Sequence, residues 1–208
     1  MSNLVYASPN LKLENDVAIV GASASLLGTG FGEIIDSYSE VIRFNRSPTD
    51  GYESDVGSKT TLRVVNNHVF NNNDISSKGY SNSPKDFVKN LRDSKILYVG
   101  PDLGPWYNRH NNTDPSNELF VFDYSKVSTL KEKFDYNSSK NLQIGTIVTF
   151  LGVMSGLKIT LFGFDLTSGP RTHYYEDRPA TVGSCHDLSK DQESIIFLEK
   201  NNLIKVKK

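Results

Sequence analysis

The sequence predicts an α/β protein: an open, mostly parallel, Rossmann-like sheet with helices on both faces, built as a single domain over residues 1–208. Three observations carry that expectation. Short apolar runs recur along the chain and stop at glycine or polar breakers, the pattern of buried parallel strands. Helix-length segments fall between them, so strand and helix alternate. A chain of 208 residues can bury one sizeable core, and it contains no internal repeat and no interdomain linker.

Taken in order, Val17–Val20 is an apolar run ending at Gly21, a buried strand that feeds a tight turn. Glu33–Ser37 forms a short crossover helix, and Val41–Phe44 is the second strand. From Asn71 to Asp86 asparagine, serine and glycine accumulate, which predicts a surface loop. Ile96–Val99 and Leu119–Phe122 add two more strands. Gly145–Ser155 is apolar around much of a helix, and Lys158–Phe164 follows as a strand. A polar stretch from Asp165 to Cys185 leads to Asp187–Lys200, whose Ile195, Ile196 and Leu198 predict a terminal helix, and Leu203–Val206 closes a sheet edge. In such a sheet the ligand sits beyond the carboxyl ends of the strands.

Composition narrows the function. With 23 basic and 24 acidic side chains the chain has no field of one sign, so nucleic acid is not an expected partner. The start, MSNLVYASPNLKLEND, lacks the basic opening and apolar stretch of a secretory signal, and no apolar run approaches the ~20 residues of a spanning helix. Cys185 is the only cysteine, so no internal disulfide can form; the expectation is a soluble, cytoplasmic protein. Lys205, Lys207 and Lys208 form a solvated basic end, and membrane contact is at most peripheral.

The turn after the first strand is rich in small residues: Gly21, Ser23 and Ser25, then Gly28, Gly30 and Gly32. Its backbone N–H groups can approach a phosphate. It begins GASASL, and the second strand ends in Asn45 rather than in an acid, which disfavours a dinucleotide-binding oxidoreductase; no Walker lysine follows either. Asn45 offers both a donor and an acceptor to a ribose or phosphate, and is equally suited to cap a strand or shape a turn.

Arg43, Asn45, Pro48, Gly51, Glu53, Asp55, Val56, Gly57, Lys59, Thr60 and Thr61 stand at the spacing of one known pattern. The segment resembles the large sialylmotif of the animal-type sialyltransferases, which transfer sialic acid from CMP-sialic acid. Gly145 with Phe162-Gly163-Phe164 is similar to the small motif of that family, and His173-Tyr174-Tyr175-Glu176 to the third. His186 through Asp191 resembles the last, with Asp191 opposite the family's glutamate. The resemblance implies a GT-A-like variant fold and an inverting transfer of sialic acid, or a related ulosonic acid such as Kdo, to a hydroxyl of a glycan or glycolipid. It implies His186 as the general base, His173 as the group that stabilises the departing phosphate, and Gly21, Ser23, Asn45, Gly145, Tyr174 and Tyr175 as donor contacts. Asp55, Gly57 and Thr60 are expected to support the fold. Acceptor contacts are expected in the loops Asn71–Asp86 and Pro105–Asn117, the latter with Trp106, Tyr107, Arg109 and His110.

No cofactor is implied, the CMP-sugar being a co-substrate, and no metal: the leaving group is a monophosphate, Asp-x-Asp is absent, and the histidines lack zinc spacing. Asp191 and Glu193 read as an acidic helix start favourable to the dipole. The chain departs from the pattern in four places. Val17 and Gly156 replace the two cysteines of the family's disulfide, a paired loss that suits a reducing compartment. Ala22 replaces an asparagine that touches the donor phosphate, and Gln143-Ile144 replace Ser-Thr next to the donor carboxylate. These last two keep open an alternative, a CMP-sugar-binding relative without transferase activity.

Overall fold

A computed structural model of the chain describes residues 1–8, 10–66, 95–101, 118–165, 173–175 and 185–208. A two-stranded antiparallel pair, β1 (Ser2–Asn3) and β2 (Lys12–Leu13), opens the chain. The main sheet contains β3 (Asp16–Val20), β4 (Glu40–Phe44), β5 (Leu62–Val65), β6 (Lys95–Tyr98), β7 (Leu119–Val121), β8 (Lys158–Phe162) and β9 (Ile204–Lys207). Its order is β7-β6-β5-β4-β3-β8-β9, and every pairing in it is parallel. The chain thus steps outward from β3 to β7, returns to the other side of β3 with β8, and ends at β9. That reversal between β3 and β8 is the topological switch point, where the loops at the carboxyl ends diverge and leave a crevice.

The helices are α1 (Gly32–Asp36), α2 (Glu53–Val56), α3 (Val127–Lys133), α4 (Ile144–Met154) and α5 (Leu188–Lys200). Alternation along the strands sends Ala18, Val20, Val41 and Phe162 into one buried cluster with Ile35 of α1 and Val56 of α2. Val17, Ile19, Ile42, Phe44 and Leu161 point the other way, against Leu130, Phe150, Leu151, Ile195 and Leu198 of α3, α4 and α5. The sheet is therefore covered on both faces, as the uninterrupted apolar strands require. Phe150 stacks on Phe134 with centroids 3.9 Å apart, which pins α4 to the end of α3. Among the described residues no helix is long and apolar enough to cross a membrane.

Each strand named from its apolar run is present within a residue or two, except that Lys158–Phe164 stops at Phe162, because Gly163 turns left-handed at φ +65°. The structure adds β5, whose run Leu62-Arg63-Val64-Val65 carries a charge at its centre. Arg63 is buried there and donates to the carbonyl oxygens of Asn45 (3.2 Å) and Ser47 (3.0 Å), so the charge serves the loop after β4. The loops 71–86 and 105–117, with Trp106, Tyr107, Arg109 and His110, and Glu176 of the third motif lie outside the described residues.

Candidate active site

Gly21 leaves β3 at the switch point. A Cβ there would overlap the Gly163 carbonyl oxygen and approach the Phe164 ring at 3.2 Å, so only glycine lets the two loops close up. Ser23 then caps a short 3-10 turn, Ala24–Leu26, its Oγ accepting the Ser25 N–H at 3.2 Å. Ser25 Oγ donates to Asp165 Oδ1 at 2.5 Å, a bridge across the crevice between the ends of β3 and β8 that the sequence did not announce.

Farther along the turn the glycines have a different task from the one expected. The N–H groups of Gly28 and Gly30 donate to the two carboxylate oxygens of Asp55, at 2.9 and 3.0 Å. These bonds hold the Asp55 carboxyl below the usual carboxylate range. Gly32 is buried at the start of α1, where a Cβ would overlap the Glu53 carbonyl oxygen. The amides of Gly28 and Gly30 are thereby engaged within the protein. Asp55 and Thr60 are supports, as expected: Thr60 Oγ1 accepts from Arg43 Nε at 3.1 Å, and Arg43 is wholly buried.

Asn45 ends β4 in the left-handed region (φ +46°), a conformation asparagine tolerates better than most residues. Its N–H donates to Val64 O at 2.8 Å, and its Oδ1 accepts the Asn66 N–H at 3.2 Å. The side chain is half-buried at the carboxyl edge of the sheet and presents its Nδ2 as a donor. Gly145 lies in the first turn of α4, where a Cβ would stand 3.0 Å from the Phe164 ring and 3.9 Å from Phe44, so that turn packs directly on the ends of β8 and β4.

The third motif hangs on the same turn: Tyr174 N–H donates to Ala22 O at 2.9 Å. His173 and Tyr175 flank it half-buried, their rings parallel with centroids 5.2 Å apart. Tyr174 itself departs from the expected role of pocket lining. It is 1% exposed, packs on Tyr52, and donates its hydroxyl to Pro48 O. Burial pushes its pKa up to about 12 against the pull of Arg43 and Arg63. It is a wedge that joins the turns after β3 and β4 inside the core.

His186 precedes α5, part-exposed, with Nδ1 3.1 Å from Asn141 O. A carbonyl only accepts, so Nδ1 carries the proton and Nε2 is the nitrogen left to act as a base. Asp191 sits one turn into α5. It is not part of a solvated acidic face: it is fully buried, and its Oδ1 accepts the Gln143 N–H at 3.4 Å, at the N-cap of α4. Burial pushes its pKa up to about 6, opposed by Thr146, the Gln143 amide and the charge of His186. The sequence contains a signal for this placement, because Asp191 shares the i, i+4, i+7 face of Ile195 and Leu198, both buried.

A family model described as glycosyltransferase family 29 (sialyltransferase) matches residues 9–97. The beta-galactoside alpha-2,6-sialyltransferase 2 of Takifugu rubripes is 27% identical over 231 residues, an alignment covering 93% of this chain and 42% of that protein. Its Homo sapiens counterpart is 28% identical over 194 residues, covering 82% and 36%. The chain thus spans about two-fifths of the length of these relatives. A crystal structure of a mammalian sialyltransferase in complex with Gal-beta-1-3GalNAc-ortho-nitrophenol superposes with a TM-score of 0.69 at 21% identity, over 92% of this chain and 68% of that one, and shows the same fold.

Proposed function

We propose that this chain, a relative of the family 29 sialyltransferases in sequence and in fold, acts as one catalytic domain of an inverting, metal-independent glycosyltransferase. It moves sialic acid or a related ulosonic acid from a CMP-sugar to a hydroxyl of a glycan. One observation carries the reading: the motif residues from Gly21 to Tyr174 come together at the carboxyl ends of β3, β4 and β8 and the first turn of α4, and His186 is held on Asn141, just before that helix.

In this reading Gly21, Ser23, Asn45, Gly145 and Tyr175 hold the nucleotide and the sugar carboxylate. The acceptor oxygen bonds to the anomeric carbon from the face opposite the phosphate, while the bond from that carbon to the CMP oxygen breaks and CMP leaves with the electron pair. His186 Nε2 takes the acceptor's proton; the Nδ1 bond to Asn141 supports this by fixing the tautomer. His173, held against Tyr175, donates to the departing phosphate. Ala22 offers the donor phosphate no side-chain contact in this scheme; its backbone oxygen holds the third motif. Val17 and Gly156 in place of the paired cysteines support a reducing, cytoplasmic setting.

The test is CMP release from CMP-sialic acid and CMP-Kdo with a pool of glycan acceptors, for the wild type, His186→Ala and His173→Ala. His186→Ala is expected to lower turnover ~10²–10⁴-fold while CMP binding persists. A His186→Ala variant at full turnover refutes the role of the base. CMP binding with no release from either donor identifies a non-catalytic relative.

A further inference from the structure

Two side-chain bonds tie the start of α5 to one stretch of backbone just before α4, beside a backbone bridge between Asn141 and His186 in which the Asn141 N–H donates to Cys185 O at 2.9 Å. His186 Nδ1 meets Asn141 O at 3.1 Å, and Asp191 Oδ1 accepts the Gln143 N–H at 3.4 Å. Gln143 is the N-cap of α4 and its own side chain makes no capping bond. An acid that reaches the N-cap amide normally comes from the third residue of the same helix. Here it comes from 48 residues away. The helix so capped carries Gly145 in its first turn, packed on the ends of β4 and β8.

For stability alone this is a costly arrangement. Asp191 is wholly buried; its one hydrogen bond of regular geometry, Oδ1 to the Gln143 amide, is long, and the Thr146 and Tyr136 hydroxyls stand near without completing a regular bond to Oδ2. Around it stand Gln143 and Thr146 from α4, His186 and Asp187 from the approach to its own helix, and Tyr136 from beyond α3. No lysine or arginine is among them, and burial raises the Asp191 pKa. An asparagine would fill the space without the buried charge.

We infer that Asp191 is a positioning residue for transfer: through Gln143 it locks α5, and the His186 that leads into it, onto the helix whose first turn carries Gly145. The role rests on the reading of His186 as the base. Without the lock the first turn of α4, with Gly145, loses its cap and can shift relative to the His186 that the Asn141 bridge holds, and misplacement by about 1 Å can cost ~10²-fold in rate.

The experiment compares the wild type, Asp191→Asn and His186→Ala in steady-state transfer, CMP binding and thermal midpoint at neutral pH. The Gln143 backbone amide is followed by NMR across a pH titration. Asp191→Asn is expected to lower kcat ~10–10²-fold with the CMP dissociation constant within about twofold and the thermal midpoint no lower than wild type. The Gln143 amide should titrate in the wild type and cease to do so in the variant. Full kcat in Asp191→Asn with His186→Ala inactive overturns the inference alone. A fall in kcat matched by loss of CMP binding and a lower midpoint reduces Asp191 to a structural residue. Full turnover in His186→Ala overturns the transfer reading and this role together.

Discussion

Asp191→Asn should also change how stability depends on pH. The carboxyl titrates at an ordinary 3.8 in the unfolded chain and at about 6 in the folded protein, chiefly because burial penalises its charge. Between those values the folded protein keeps a proton that the unfolded chain has released. The stabilising state is therefore complete below the ordinary value and is lost as pH rises to about 6. A shift of that size is about 1.4 kcal/mol per unit, or about 3 kcal/mol across the window. The asparagine variant has no such slope. For a domain of this length each kcal/mol moves the midpoint by about 2–4 °C, so the variant should gain ~6–12 °C on the wild type between about pH 4 and pH 7. Thermal melts by circular dichroism at several pH values read this directly. Two curves that stay parallel over the whole range refute a buried, poorly compensated Asp191.

Gly21→Ala tests the close approach at the switch point. Its Cβ would overlap the Gly163 carbonyl oxygen, so the turn must move away from β8, at about 1–3 kcal/mol and with weakened CMP binding; unchanged calorimetric affinity and an unchanged midpoint refute it. Turnover should persist in EDTA, because the departing group is a monophosphate. Among the described residues no group of three or more histidines, cysteines or acids is placed to hold a metal ion. Loss of activity in EDTA with recovery on adding a divalent cation refutes metal independence.

Much of the fold was legible in the order of residues. Val17–Val20, Val41–Phe44, Ile96–Val99 and Leu119–Phe122 announce strands, since a strand covered on both faces needs a continuous apolar run. β5 escaped because Arg63 interrupts its run, and a buried arginine is explicable only by carbonyls on a neighbouring loop. The motif spacing likewise identified Gly21, Asn45, Gly145, His173 and His186 as candidates without saying what each would touch.

What the sequence determined by itself is therefore local: which stretches are apolar enough to be strands, where glycine allows a close turn, and which residues stand at the spacing of the sialylmotifs. Only the tertiary structure decided the assignments that depend on a distant partner. Asp55 claims the amides of Gly28 and Gly30, Pro48 takes the Tyr174 hydroxyl, and Asn141 orients His186. Asp191 was read as part of an acidic helix start favourable to the dipole, and it lies buried against α4. The physical reason is common to all four. Whether a polar group faces water, a ligand or a buried amide depends on what packs over it, and that neighbour lies 25 to 126 residues away.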